Sequence, residues 1–229
     1  MVEPKHIEAL IFDFDGVVVD SEPVHFRVFR EMLGRRGIAL TSEQYYSHYL
    51  GFDDHDCFAA VCVANGRPAD EGEIAAMMAE KTRLVQEAFG RSVKPMPGAV
   101  ELMRSAHAAG VPLAICSGAL RDEILLAGKT VGAIDLVELV VAAKDVKHGK
   151  PDPEGYILAM RLLSQAISQP IAPGKTWVVE DSPAGIDAAK AAGCHVLAVT
   201  NSYAADALVR ADRVVDSLVG VTLRDLAVQ

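Results

Sequence analysis

The chain has 229 residues, 51% of them apolar and only 6% aromatic, which supplies a sizeable aliphatic core and excludes a disordered polymer. Its formal net charge is −9, from 22 Lys and Arg against 31 Asp and Glu, with no long basic run. That balance excludes a nucleic-acid partner, which needs a basic footprint, but leaves room for a local basic pocket that holds one small anion.

In chain order, residues 1–8 carry charges and Pro4 with no apolar signal region. An aliphatic run at 7–12 predicts a strand that ends in Asp13-Phe14-Asp15-Gly16. Residues 21–95 then show no convincing strand, only helical patterns broken near Gly34–Gly37, Gly51 and Asn65-Gly66-Arg67-Pro68. That stretch far exceeds an ordinary strand-to-helix connection, so it reads as an inserted helical subdomain, with Pro95-Met96-Pro97-Gly98 as the return linker. Beyond it, short apolar runs at 112–116, 136–141, 176–180 and 195–199, and a weaker one at 213–215, alternate with helical patterns at 99–109, 153–167 and 183–192. Continuous apolar strands alternating with helices predict an α/β fold with a parallel, doubly wound sheet. The expected division is a core of 1–20 and 96–229 and a helical cap of 21–95. Cys57, Cys62, Cys116 and Cys194 form no Cys-x-x-Cys pair and no zinc-type cluster, so they read as reduced, buried thiols. No apolar run approaches the ~20 residues that span a bilayer, and a soluble, cytoplasmic protein without a membrane partner is expected.

Ligands of open parallel sheets bind beyond the carboxyl ends of the strands. Four predicted strands end in, or lead to, Asp13-Phe14-Asp15-Gly16, Ser117-Gly118, Gly149-Lys150-Pro151-Asp152 and Glu180-Asp181-Ser182. Residues two apart on extended chain face one way, so Asp13 and Asp15 can approach one ligand. Two carboxylates about 4 Å apart repel by roughly 4 kcal/mol at an effective dielectric of 20, and Glu180 and Asp181 add to the repulsion. A hard, all-oxygen acid cluster suits Mg²⁺, which also binds phosphate. Lys150, the Ser117 hydroxyl and the amides beside Gly16 and Gly118 can meet phosphate oxygens.

The motifs DFDGVVVDS, ICSG, KHGKPDP and VVEDSPAGIDAAKAAG together resemble the haloacid dehalogenase superfamily. Within it, the chain is similar to the beta-phosphoglucomutase and phosphoglycolate-phosphatase-like branch. The resemblance implies a Rossmann-like core with a helical cap inserted after the first motif. It also implies that Asp13 is the nucleophile that forms an aspartyl-phosphate and that Asp15 is the general acid and base. Ser117 would bind the transferring phosphoryl group, and Lys150 would offset its charge. Mg²⁺ would be held by Asp13, the Asp15 carbonyl and Asp181, with Glu180 a direct or water-mediated ligand. Dehalogenating members lack the second acid of the first motif, so Asp15 favours phosphoryl transfer.

In the cap, His25 and Lys81 match positions where related enzymes contact the substrate, although packing accounts for His25 and a solvated helix face for Lys81. Where beta-phosphoglucomutase has an arginine for the non-reacting phosphate, this chain reads Gly51-Phe52-Asp53-Asp54-His55. An acid there disfavours a second phosphate. The sequence thus predicts a Mg²⁺-dependent phosphatase of a small phosphorylated metabolite. A phosphosugar mutase is the alternative and a silent metabolite-binding protein a remote one; oligomeric state and the individual substrate are not legible.

Overall fold

The computed structural model describes residues 7–50 and 52–226; Gly51 and the segment 1–6 lie outside them. Contacts divide the chain into two compact units, Met1–Asp20 with Val93–Gln229, and Ser21–Ser92.

The first unit is built on a six-stranded parallel sheet. Its strands are β1 (Ala9–Phe12), β4 (Leu113–Cys116), β5 (Leu139–Val141), β6 (Thr176–Glu180), β7 (His195–Val199) and β8 (Arg213–Val215), in spatial order β5-β4-β1-β6-β7-β8. Every residue of β1 and β6 is buried, which is why these strands read as unbroken apolar runs. Helices α5 (Ala99–Ala108), α6 (Arg121–Val131), α7 (Glu154–Ala166) and α8 (Pro183–Ala191) alternate with the strands. Tyr156, Ala159 and Leu163 of α7 and Ile186 and Ala189 of α8 share one core with Ala9, Ile11, Ala114 and Val178 of the sheet. Helix α8 starts sharply because Ser182 caps it, accepting the Gly185 amide, and Pro183 needs no amide partner there.

Two features depart from the sequence expectation. The run at 136–141 enters the sheet only at Leu139, because Ile134–Leu136 first makes a 3-10 turn. Residues 94–95, expected in the cap, form β3 (Lys94–Pro95), which pairs antiparallel with β2 (Val19–Asp20) and keeps the return chain in the sheet-bearing unit.

The second unit is all helical: α1 (Glu22–Arg35), α2 (Ser42–Gln44), a π-helical turn at Tyr45–Tyr49, α3 (Asp54–Ala64) and α4 (Glu71–Ser92). Apolar spacing buries Val28, Phe29, Met32 and Leu33 of α1, Phe58 and Val61 of α3, and Met77, Val85 and Phe89 of α4. No helix among the described residues is long and apolar enough to cross a membrane. All four cysteines are buried and free.

Candidate active site

Register places the chemistry. Phe12 pairs with Ile115 on one side and Val179 on the other, so the next residue on each strand brings Asp13, Cys116 and Glu180 level at the carboxyl end of the sheet. The Asp13 amide donates to the Val179 carbonyl at 2.9 Å, which fixes the backbone from which its side chain projects. Lys150, on the loop beyond β5, donates to Asp13 Oδ1 at 2.5 Å and to Glu180 Oε1 at 2.6 Å.

Glu180 is fully buried, and its carboxylate is saturated. Besides Lys150, Oε1 accepts the Tyr156 hydroxyl at 2.8 Å, while Oε2 accepts the Asp181 and Ser182 amides and the Ser182 hydroxyl at 2.9, 3.1 and 3.0 Å. The α8 backbone must press close to this group, since a Cβ on Gly185 would meet Glu180 Oε1 at 1.7 Å. Burial alone would raise the Glu180 carboxyl, but Lys150 and the surrounding donors hold it below its ordinary value.

Asp181 is also buried, and its Oδ2 accepts the Ser202 hydroxyl at 2.5 Å. Burial pushes its carboxyl up to about 7, opposed by the Ser202 hydrogen bond and reinforced by Glu180. Asp13 is likewise raised by burial, against the pull of Lys150, with Glu180 and Asp181 adding to the rise. Lys150 would be depressed by burial, but Asp13 and Glu180 carry it above its ordinary value. Asp13, Glu180 and Asp181 offer carboxylate oxygens within 4.8 Å of one another. Three buried acids around one ammonium leave excess negative charge, and the donor set is all oxygen. These residues fit a hard divalent cation.

Ser117, Gly118 and Lys150 line a cavity of about 280 Å³ together with Cys116, Val141 and Tyr156. Ser117 Oγ accepts the Ala119 amide at 3.0 Å, which leaves its own hydrogen to donate. Asp15 leaves the sheet in the turn after β1, bridged to Val19. The Gly16 amide itself donates to the Val19 carbonyl at 2.9 Å, within the turn. The glycine also permits close approach: at φ +73°, a Cβ would lie 2.0 Å from Asp181 Oδ2.

A family model described as haloacid dehalogenase-like hydrolase matches residues 10–199, spanning β1 through β7. The chain belongs to the haloacid dehalogenase-like hydrolases. It is 32% identical over 219 residues to hexitol phosphatase A of Escherichia coli (strain K12), covering 94% of each chain. It is 31% identical over 222 residues to validoxylamine A 7'-phosphate phosphatase of Streptomyces hygroscopicus subsp. limoneus, covering 92% of this chain and 94% of that one. Among solved structures, beta-phosphoglucomutase from Clostridium difficile superposes with a TM-score of 0.74 at 22% identity, covering 96% of this chain and 95% of the other, a likeness of fold. With named phosphatases among its relatives, this haloacid dehalogenase-like hydrolase is a phosphohydrolase.

His25 and Lys81 belong to the helical unit, not to the unit that carries the acids. His25 stands edge-on to Phe89 at 5.6 Å, and its Nδ1 is buried with no hydrogen-bond partner. Burial, helped by the Lys81 charge, lowers it to about 3, so the ring is neutral. Lys81 is buried rather than solvated, paired with Asp54, and its Nζ lies 4.3 Å from the Phe29 ring centroid. Tyr156, Asn201 and Ser202 fall outside the motifs read from sequence. The signal for the last two is a polar run directly after the apolar β7, the criterion that found the other rim residues.

Proposed function

We propose that this hydrolase is a Mg²⁺-dependent phosphatase of small phosphorylated metabolites of the sugar-phosphate kind, acting through an aspartyl-phosphate on Asp13. The observation that carries the reading is the buried Asp13 carboxylate held by Lys150 beside Asp181. The named phosphatase relatives support the substrate class.

Asp13 and Asp181, with the Asp15 carbonyl, would hold Mg²⁺. The cation would neutralise charge on the phosphoryl oxygens. Glu180, expected above as a further ligand, is better assigned to Lys150, because five donors already occupy its oxygens. An Asp13 oxygen attacks phosphorus, the bond to the leaving oxygen breaks, and Asp15 gives that oxygen its proton. Asp15 then takes a proton from the water that attacks phosphorus, and the bond to Asp13 breaks, which returns both acids to their starting states. Ser117 and the Gly118 amide donate to the phosphoryl oxygens, and Lys150 offsets their charge.

The phosphatase reading is preferred to a phosphosugar mutase because the stretch after Gly51 carries the acids Asp53 and Asp54 where beta-phosphoglucomutase has an arginine for its second phosphate. A silent binding protein leaves the complete set of four catalytic motifs without a use. The test is phosphate release across a panel of phosphorylated metabolites with Mg²⁺. Turnover of at least one sugar phosphate or polyol phosphate, well above that of Asp13→Asn, supports the reading. A panel on which the two proteins are indistinguishable removes it, and conversion of a sugar 1-phosphate to its 6-phosphate without net release would establish the mutase.

A further inference from the structure

The loop after β7 ties three parts of the acid cluster together. Ser202 Oγ donates to Asp181 Oδ2 at 2.5 Å. Asn201 Nδ2 donates to the Gly16 carbonyl at 2.6 Å, binding this loop to the turn that follows the nucleophile. Gly16 closes the third side: a Cβ there would lie 2.0 Å from Asp181 Oδ2 and 2.9 Å from Ser202 Oγ. One Asp181 oxygen, Oδ2, is therefore engaged by the Ser202 hydroxyl and closely approached by the Gly16 backbone, while Asp181 contributes a carboxylate oxygen to the acid cluster.

We propose that Ser202 is a positioning residue that restricts Asp181 to one-oxygen ligation and thereby sets a preference for Mg²⁺ over Ca²⁺. The inference rests on the metal-dependent reading above. Mg²⁺ requires near-ideal octahedral geometry at short distances, whereas Ca²⁺ takes six to eight oxygens and accepts bidentate carboxylates. With the hydroxyl in place, Oδ2 is spent on Ser202. Without it, Oδ2 loses its hydrogen-bond partner and becomes available as a second ligand oxygen, an arrangement that suits the larger cation and misfits the smaller. Partners that orient a ligand in this way commonly contribute 10–100-fold to metal affinity.

The test is calorimetric titration of the full chain with Mg²⁺ and separately with Ca²⁺, in the absence of substrate. In Ser202→Ala, the Mg²⁺ Kd is expected to weaken about tenfold while the Ca²⁺ Kd stays close to that of the wild type. Ser202→Thr, which keeps the hydroxyl, should restore Mg²⁺ binding. Should Ser202→Ala not fold, Asn201→Ala, which loosens the same loop, should move the Mg²⁺/Ca²⁺ affinity ratio in the same direction. An unchanged ratio, or parallel weakening of both cations, overturns the assignment to Ser202. A wild-type protein that binds neither cation overturns the metal-dependent reading itself, so the two failures are distinguishable.

Discussion

Lys150 and Lys81 are both largely buried, one in each compact unit, and each is paired with an aspartate, but their surroundings differ. Lys150 is shared between two buried carboxylates, Asp13 and Glu180, with Asp181 beside them. Among the described residues Lys81 pairs with Asp54, whose side chain is 32% exposed, and rests over the Phe29 ring. The first arrangement has more acid than base, a set that suits a further cation. The second is closed and neutral. The same residue pair thus serves a reactive centre in one setting, where burial and crowding keep charge unsettled, and a packed helical interior in the other.

The largest expected consequence falls on the reactive side. Asp13→Asn should lower phosphate release by a factor on the order of 10⁴ or more, as removal of a nucleophile does elsewhere, measured as steady-state kcat on the best panel substrate. Next comes the divalent cation. Stripping divalent metal with a chelator should lower the rate about 10³-fold, equivalent to several kcal/mol of charge stabilisation, and added Mg²⁺ should restore it. A chelated enzyme that keeps its rate would show that Lys150 alone balances the acids.

Stability separates the two lysine sites more gently. Glu180→Gln leaves the donors of Lys150 and Tyr156 facing an amide, and should cost about 3–5 kcal/mol in urea unfolding. Lys81→Met leaves only the partly exposed Asp54 behind and should cost about 1 kcal/mol or less. Equal losses would erase the distinction between an over-supplied and a closed charge set.

At neutral pH the smallest effect is that of His25 in the helical unit, which shows only as a slope of stability in acid. Its folded value of about 3 lies below the ordinary 6.5, so between those values the unfolded chain binds a proton that the folded chain refuses. Stability from this group is complete above pH 6.5 and falls as pH drops toward 3, by up to about 1.4 kcal/mol per unit. His25→Leu should flatten that part of the profile. An unchanged slope would mean that the ring takes up its proton in the folded state.

The sheet was legible from sequence because β1, β4, β6 and β7 are largely buried, so each appears as a mainly apolar run with polar residues at or directly after its end. That pattern pointed to Asp13, Lys150, Glu180 and Asp181 as neighbours. It said nothing of β3, a two-residue strand containing a proline, whose existence depends on pairing with distant Val19–Asp20. The commitment of the Gly16 amide and the crowding of donors on Glu180 were equally hidden, because both depend on tertiary approach rather than spacing. The sequence offers Lys81 as a substrate contact or a solvated helix lysine and gives no sign of its pairing for a similar reason: only the packing of α3 against α4 brings Asp54 to it.

Covalent chemistry at Asp13 is the claim on which the account turns, and rapid acid quench during turnover tests it most directly. Mass-spectrometric mapping of the quenched wild-type protein should find the phosphoryl group on Asp13, with more of it in Asp15→Asn, where hydrolysis of the intermediate is slowed. Phosphate release with no modified Asp13, or with the label on another residue, would contradict it.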